Sequence, residues 1–199
     1  MSASSPLPQP LSPPRPEISV RAARDEDMAV VQEIYSYHVR LGLASFEEVA
    51  PDVDELLRRR AEVVKRSLPY LLAEIEGTVA GFAYAGPYRN RSAYRYTVED
   101  SVYVDHRFLR RGVGRALLRV LIERCTALGY RQMIAVIGDS GNENSIGAHK
   151  AMGFVEVGRL PAIGFKLGRW VDSILMQRAL GPGAATPPAP NTPGPRLFP

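Results

Sequence analysis

Two glycines and three arginines occupy one short turn of the sequence, L-R-R-G-V-G-R at residues 109–115. Amide groups at the start of a helix have no acceptor within it, and glycine lets an anionic ligand come close to them. Guanidinium groups in the same turn add charged hydrogen-bond donors. The pattern predicts a phosphate or pyrophosphate site with these donors: Arg110, Arg111, Gly112, Val113, Gly114 and Arg115.

This turn differs from two familiar phosphate-binding loops. No Gly-Lys-Ser/Thr sequence ends it, so the lysine and the magnesium-binding hydroxyl of an ATPase loop are missing. No third glycine follows Gly114 at the spacing of the dinucleotide fingerprint. Taken alone, the turn is also compatible with an ordinary helix start that has a solvated basic face.

Glu99 lies in a segment whose other residues are mostly apolar or hydroxylated, T-V-E-D-S-V-Y-V. A carboxylate that points inward from such a strand is partly desolvated, and its pKa then rises toward the range that suits a general base. The alternative is an outward-facing strand residue with no part in catalysis.

Arg89 and Arg91 are two residues apart, which places their side chains on the same side of an extended segment. Paired guanidinium groups suit a carboxylate or a tetrahedral oxyacid group. A solvated basic loop is the alternative at this position.

The elements that must position these residues alternate along the chain. Apolar periodicity and turn residues predict strands at 17–22, 70–76, 78–85, 97–105, 131–137, 154–158 and 173–180 and helices at 25–39, 53–67, 112–128 and 145–152. The order β-α-α-β-β-β-α-β-α-β-β predicts an α/β (α+β) fold with a mixed central sheet and helices on both faces.

Composition restricts the class of protein. The 199 residues include 25 Lys or Arg and 21 Asp or Glu, for a formal net charge of +4, and 45% are hydrophobic, as in a soluble globular domain. A single cysteine excludes an internal disulfide and a thiolate metal cluster, which indicates a reducing, cytoplasmic setting. No stretch approaches the roughly 18 apolar residues of a membrane span. We expect no membrane or nucleic-acid partner, and the modest basic charge suits a small polyanionic ligand.

Proline marks both ends of the chain. Thirteen of the 17 prolines lie outside residues 17–180. Dense proline favours extended, solvated chain with too few apolar groups to fold. We therefore predict disordered tails at 1–16 and 181–199 around one folded domain at 17–180.

Several motifs in this order resemble the Gcn5-related N-acetyltransferases (GNAT). R-R-G-V-G-R-A-L-L, A-V-I-G and N-E-N-S-I-G-A-H-K-A-M-G-F resemble the acetyl-CoA-binding core of that family. Y-A-G-P-Y-R-N-R-S-A-Y-R-Y-T-V-E-D-S-V-Y-V and G-F-K-L-G-R-W are similar to its phosphinothricin and methionine sulfone or sulfoximine acetyltransferase branch. The resemblance covers residues 17–180. It implies the GNAT fold and transfer of acetyl from acetyl-CoA, without a metal, to the amino group of a small amino acid or analogue by direct attack in a ternary complex.

The resemblance also implies roles for the residues of the cofactor site. Strand residues Val102, Tyr103 and Val104 would offer backbone groups to the thioester and the pantetheine amides. Asn142 and Ser145 match positions near the pantetheine arm, although Asn142 also suits a turn and Ser145 a helix cap. The family usually has Gln or Arg at the start of the phosphate turn where this chain has Leu109. One side-chain contact to the cofactor is therefore expected to be absent.

On the chemical side, the resemblance makes Glu99 the general base and places His149 near the thioester sulfur, to position the substrate or to protonate the thiolate. The implied acceptor-binding residues are Phe46, Arg89, Arg91 and Tyr94. His38, His106 and Cys125 are expected to be structural. Relatives are commonly dimers, so a homodimer is expected. Two alternatives stay open: an acetyltransferase for a protein N-terminus, a lysine or another amine, and a non-catalytic CoA-binding module.

Overall fold

The computed structural model describes residues 17–188, so the predicted tail at 1–16 and the part of the C-terminal tail at 189–199 lie outside the described residues. The elements follow the predicted order: β1 (Ile18–Ala22), α1 (Met28–Leu41), α2 (Val53–Lys65), β2 (Tyr70–Ile75), β3 (Thr78–Pro87), β4 (Thr97–Val104), α3 (Val113–Ala127), β5 (Gln132–Gly138), α4 (Glu143–Ala151), β6 (Val155–Lys166) and β7 (Arg169–Ala179). Short 3-10 turns at Asp25–Asp27, Ser92–Tyr94 and His106–Phe108 connect some of them.

Seven strands form one mixed sheet in the order β1-β2-β3-β4-β5-β7-β6. Only the central β4–β5 pair is parallel, and every other neighbouring pair is antiparallel. The predicted mixed sheet is confirmed.

Helices cover both faces of the sheet, because alternate strand residues point to opposite sides. On one face, α3 buries Leu117 and Leu121 against Ala83 and Val98. On the other face, α1 and α2 pack against a second cluster of buried residues, which includes Met28, Val31, Leu56, Leu72 and Phe82. Two hydrophobic cores therefore enclose the sheet, as predicted for helices on both faces.

The largest difference from the predicted elements is the final hairpin. β6 ends at Lys166 and β7 begins at Arg169. The turn between them consists of Leu167 and Gly168, which both have positive φ. The sequence predicted strands only at 154–158 and 173–180. Most side chains of β6 are exposed, and two register shifts interrupt its pairing with β7. The alternation that identifies a half-buried strand is therefore absent there.

The parallel pair separates after four residues. Thr97–Asp100 of β4 pair with Gln132–Ala135 of β5, whereas β4 continues to Val104 and β5 to Gly138. Backbone groups on the β5 side of Val102 and Val104 are therefore not used by the sheet ladder. This opening lies at the centre of the molecule.

Residues 181–188 form turns at the end of β7. The Gly183 amide donates to the Leu180 carbonyl, and the Arg131 guanidinium donates to the Thr186 carbonyl at 2.8 Å. Among the described residues, no helix has both the length and the apolar character needed to cross a bilayer.

Candidate active site

A cleft of about 820 Å³ occupies the opening between β4 and β5. The start of α3, the first turns of α4 and the loop after α1 form its walls. A volume of this size accommodates a small-molecule ligand.

The start of α3 lies at one end of the cleft. Gly112 precedes the first helical residue with φ of 94°, and Arg110 has φ of 59°, so two residues of this turn adopt the left-handed region. Glycine adopts that region without strain, whereas a side chain does not. Arg110, Gly112, Val113, Gly114 and Arg115 line the cleft. The helix-start amides and two guanidinium groups thus face the same space, which suits an anionic group.

Arg111 is placed differently from the other predicted phosphate ligands. Its guanidinium lies over the ring of Phe108, 5.4 Å from the centroid, and the residue is exposed. It is not among the residues that line the cleft, whereas Leu109 is.

The middle of the cleft is bounded by the unpaired side of β4. Val102, Tyr103 and Val104 line it. His38 of α1 also lies here, with its Nε2 2.8 Å from the Val104 carbonyl oxygen. Because a carbonyl only accepts, Nε2 carries the hydrogen. Burial lowers the pKa of His38, which keeps this ring neutral.

Glu99 lies at the fork where the two strands part, with its side chain one-third exposed. Burial raises the pKa of the Glu99 carboxyl. The charge of Arg89, whose Nη1 lies 4.0 Å from Oε2, opposes that rise, and the charge of Asp100 adds to it. The net rise brings the pKa of this carboxyl closer to the range that suits a general base.

His149 reaches the same fork from the other face of the sheet. Asp100 pairs with Ala85, a member of the core under α3, so Asp100 points to that face and Glu99 to the opposite one. His149 Nε2 lies 3.0 Å from Asp100 Oδ1, and His149 Nδ1 lies 2.7 Å from the Ser145 carbonyl. Glu99 and His149 therefore approach the cleft from opposite sides of β4.

Sequence reasoning missed Asp100. The available signal was a second carboxylate next to Glu99 in an apolar strand, where alternation sends the two to opposite faces. Its partner His149 is 49 residues away in sequence, and the pairing is therefore visible only in the fold.

Asn142 and Ser145 also line the cleft. Asn142 caps α4, with its side-chain oxygen accepting from the Ser145 amide at 3.2 Å. The capping residue of α4 is thus Asn142 rather than Ser145, because Ser145 lies within the helix.

Phe46, on the loop that follows α1, forms another part of the cleft wall. Its ring packs on Gly164 of β6 and Gly138 of β5, where a Cβ would come within 2.5 Å and 3.0 Å of it. The buried Lys166 ammonium donates to the Ser45 carbonyl at 2.6 Å and fixes the residue before Phe46. Sequence reasoning also missed Lys166, since its partner is 121 residues away.

Arg89, Arg91 and Tyr94 lie on the exposed segment before β4 and are not among the residues that line the cleft. Arg89 approaches Glu99 and stacks over Tyr88 at 4.3 Å. Tyr94 contacts Tyr88 edge to face at 5.6 Å. The structure brings Arg89 to the rim of the cleft beside Glu99, whereas Arg91 is exposed and Tyr94 packs on Tyr88 outside the cleft.

Residues 17–188 contain no group of three or more His, Cys, Asp or Glu side chains placed to hold a metal ion.

A mixed sheet that opens between two parallel strands, with a basic helix start at one end of the opening and a carboxylate at the fork, defines an acyl-CoA N-acyltransferase. Residues 31–154 match the model of the acetyltransferase (GNAT) family, and the chain belongs to this family.

Three proteins illustrate its similarity to known members. A phosphinothricin N-acetyltransferase of Alcaligenes faecalis is 53% identical over 170 residues, covering 85% of this chain and 86% of the relative. An L-methionine sulfoximine/L-methionine sulfone acetyltransferase of Salmonella typhimurium is 36% identical, covering 84% of this chain and 98% of the relative. The crystal structure of a phosphinothricin acetyltransferase from Sinorhizobium meliloti in complex with AcCoA has a TM-score of 0.85 and 44% identity, covering 87% of this chain and 94% of that chain.

The protein is therefore an enzyme that uses acetyl-CoA as its co-substrate and transfers the acetyl group to an amino group. The cleft fits this co-substrate, because a glycine-bearing helix start and a free strand edge line one continuous space.

Proposed function

We propose that the acceptor is the α-amino group of a small amino acid or analogue that carries a second acidic or strongly polar group, of the phosphinothricin or methionine sulfone and sulfoximine type. The relatives named for those substrates cover most of this chain. Arg89 supplies a positive charge at the rim beside Glu99, which suits a carboxylate on the acceptor.

In this proposal, the start of α3, with Arg110 and Arg115 and flanked by Arg111, binds the diphosphate of the co-substrate. The backbone of Val102, Tyr103 and Val104 binds the pantetheine arm, with Asn142 and Ser145 on its other side. Phe46 closes the acceptor end of the cleft, and Arg91 and Tyr94 extend the acceptor site beyond Arg89.

Glu99 acts as the general base. It takes a proton from the acceptor ammonium, directly or through a water molecule, and frees the nitrogen lone pair. The nitrogen then attacks the thioester carbonyl, so a C–N bond forms and the C–S bond breaks with its electron pair on sulfur. The observation that carries this assignment is the position of Glu99 at the fork of β4 and β5, where burial raises the pKa of its carboxyl.

The test is Glu99→Gln, assayed by thiol release from acetyl-CoA. We expect kcat to fall by at least about 100-fold, the lower range for loss of a general base, with acetyl-CoA affinity by calorimetry unchanged. Glu123→Gln, on an exposed position of α3, is the matched control. A variant that keeps the wild-type kcat would contradict the base assignment.

An acceptor panel tests the substrate class. Phosphinothricin, methionine sulfone and methionine sulfoximine should be acetylated far faster than their carboxyl-blocked amides or a peptide with a free N-terminus. Preference for the peptide would instead indicate a protein acceptor. Binding of acetyl-CoA without turnover of any amine would indicate a non-catalytic module.

We also propose a homodimer formed through the β6–β7 hairpin. β6 is the last strand of the sheet, so one of its edges has no neighbouring strand among residues 17–188. Several large apolar side chains are exposed on this hairpin: Val155, Val157, Leu160, Ile163, Phe165, Leu167 and Trp170. An unpaired edge with contiguous apolar residues is a surface that soluble proteins normally cover.

A further inference from the structure

A buried pair of titratable groups connects α4 to β4 where β4 and β5 part. His149 Nε2 lies 3.0 Å from Asp100 Oδ1, and the two side chains are 4% and 3% exposed. Asp100, opposite Ala135, is the last residue of β4 in the parallel ladder. Both members of the pair line the cleft. The pair therefore occupies the inner end of the opening.

The hydrogen-bond partners of His149 determine its protonation. Nδ1 lies 2.7 Å from the Ser145 carbonyl oxygen, which can only accept, so Nδ1 carries a hydrogen. Nε2 faces a carboxyl group, so a second hydrogen lies between Nε2 and Asp100. Imidazole is a stronger base than a carboxylate, so this hydrogen belongs to the histidine.

No other charged group contacts the imidazole among residues 17–188. The Cys125 thiol on α3 feels the charge of Asp100, and burial raises its pKa to about 12, so it stays neutral. Glu143 and Lys150, on α4 itself, point to solvent. The neighbouring β5 residues are apolar, with Ala135 and Ile137 facing the cleft.

Asp100 has a second carboxyl oxygen that the hydrogen bond to His149 does not satisfy. Its Oδ2 is buried and has no hydrogen-bond partner in the described chain. Such a carboxylate is costly unless a positive charge lies beside it. Burial lowers the pKa of His149, but the hydrogen bond and the charge of Asp100 outweigh burial, and the net pKa is raised.

We propose that Asp100 is a positioning residue that holds His149 as an imidazolium at the inner end of the cleft, with both ring nitrogens donating hydrogen bonds. His149 then stabilises the departing thiolate by its positive charge and keeps both ring protons. This role rests on the proposed function, which places the thiolate at the fork. When the C–S bond breaks, the electron pair goes to sulfur. The acylated nitrogen releases its second proton to solvent, and the thiolate takes a proton from solvent, so charge and protons balance. If His149 gave up the Nε2 proton instead, the exposed lone pair would face the Asp100 carboxylate, which opposes that transfer.

The first experiment is independent of activity. In the full-length wild-type protein labelled with ¹⁵N-histidine, we expect both ring nitrogens of His149 to keep imidazolium chemical shifts at pH 8, where His38, whose pKa burial lowers, shows a neutral ring. A His149→Asn spectrum assigns the signals. A neutral His149 ring at pH 7 would overturn the proposal, whether its proton was lost or had moved to Asp100.

The second experiment uses Asp100→Asn, which removes the charge and keeps the shape. The His149 ring should become neutral at lower pH than in the wild type. At pH 8 we expect kcat of the variant to be about tenfold or more below that of the wild type, as for loss of a charge-stabilising group, and this ratio to the wild type should approach one toward pH 6. Asp54→Asn, the same change at an exposed position of α2, should show neither effect. An equal loss of kcat at pH 6 and pH 8 would contradict the role of Asp100.

These outcomes separate the two proposals. If Asp100→Asn does not fold, the wild-type spectrum alone decides the state of His149. Failure of Glu99→Gln to lower kcat would refute the base without changing the His149 spectrum.

Discussion

Glu99 has two charged neighbours that move its pKa in opposite directions. Asp100, the next residue of β4, lies on the other face of the strand and raises the pKa, whereas Arg89 at the cleft rim lowers it. Burial is the largest contribution and raises the pKa. The pH at which this carboxyl can accept a proton therefore depends on Arg89, even though Arg89 does not line the cleft.

Arg89→Ala should move the acidic limb of the pH profile of kcat/KM upward. Removal of the positive charge takes away the influence that lowers the Glu99 pKa, so a higher pH is needed to ionise the base. The measurement uses a carboxyl-blocked acceptor, which Arg89 cannot bind through a carboxylate.

Arg95→Ala, on the same segment but stacked over Tyr96, is the control for that experiment. A limb that stays in place or moves downward in Arg89→Ala would show that the two groups are not coupled.

Individual residues could be predicted from sequence where their role depends on near neighbours. Glu99 could be proposed from sequence because its own strand is mostly apolar, and Gly112 because it lies beside a predicted helix start. Asp100 and Lys166 were not identifiable, since each is defined by a contact with a residue 49 or 121 positions away. His38 was assigned to a helix's apolar side, and only the fold places it against β4 in the cleft.

The loop after α1 and strand β6 together form the wall that we propose for the acceptor end of the cleft. Phe46 packs where two strands have glycine, and Lys166 ties the preceding residue to β6. A residue with a side chain at Gly164 would place its Cβ 2.5 Å from the Phe46 ring, which requires the ring to move. The geometry of the acceptor end thus depends on a small residue in an otherwise exposed strand.

Gly164→Ala should displace Phe46 and raise KM for the acceptor by about tenfold, because small displacements of a positioning group have large effects on a bound reactant. Affinity for acetyl-CoA should stay unchanged, since the proposed phosphate site at the start of α3 includes neither Gly164 nor Phe46. Gly158→Ala is the matched control in the same strand, where the nearest atom to the added Cβ is Leu175 Cδ1 at 3.9 Å. Equal KM values for the two variants would rule out this function of Gly164.

Helices and inner strands could be predicted because burial gives them a periodic pattern, and their order along the chain is confirmed. The outer hairpin could not be predicted in full. Its side chains face solvent, Pro161 lies within β6, and two irregularities shift the register. Pairing with β7, rather than any pattern of its own, makes β6 a strand.

The sheet consists of two antiparallel parts that a four-residue parallel ladder joins. β1 to β4 form one part and β5 to β7 the other. Sequence predicted a mixed sheet with helices on both faces, and this is confirmed. The position of the opening could not be predicted, because nothing in the sequences of β4 and β5 marks where their pairing stops.

Changing an exposed apolar residue of the hairpin to aspartate should convert the proposed dimer to a monomer. Ile163→Asp introduces a charge that would have to be buried against the partner's apolar residues, which is costly. Sedimentation equilibrium measures the molar mass of each variant. Leu128→Asp, at an exposed apolar position after α3, should remain a dimer. A wild-type chain that sediments as a monomer at all concentrations would contradict the proposed interface.

The single tryptophan of the chain, Trp170, lies on this hairpin and is 67% exposed. Indole fluorescence shifts to shorter wavelength when water around the ring is replaced by apolar groups. Trp170 would therefore be an intrinsic optical reporter of the proposed dimer, with no competing emission from a second indole. Dilution should shift the emission maximum to longer wavelength as subunits separate.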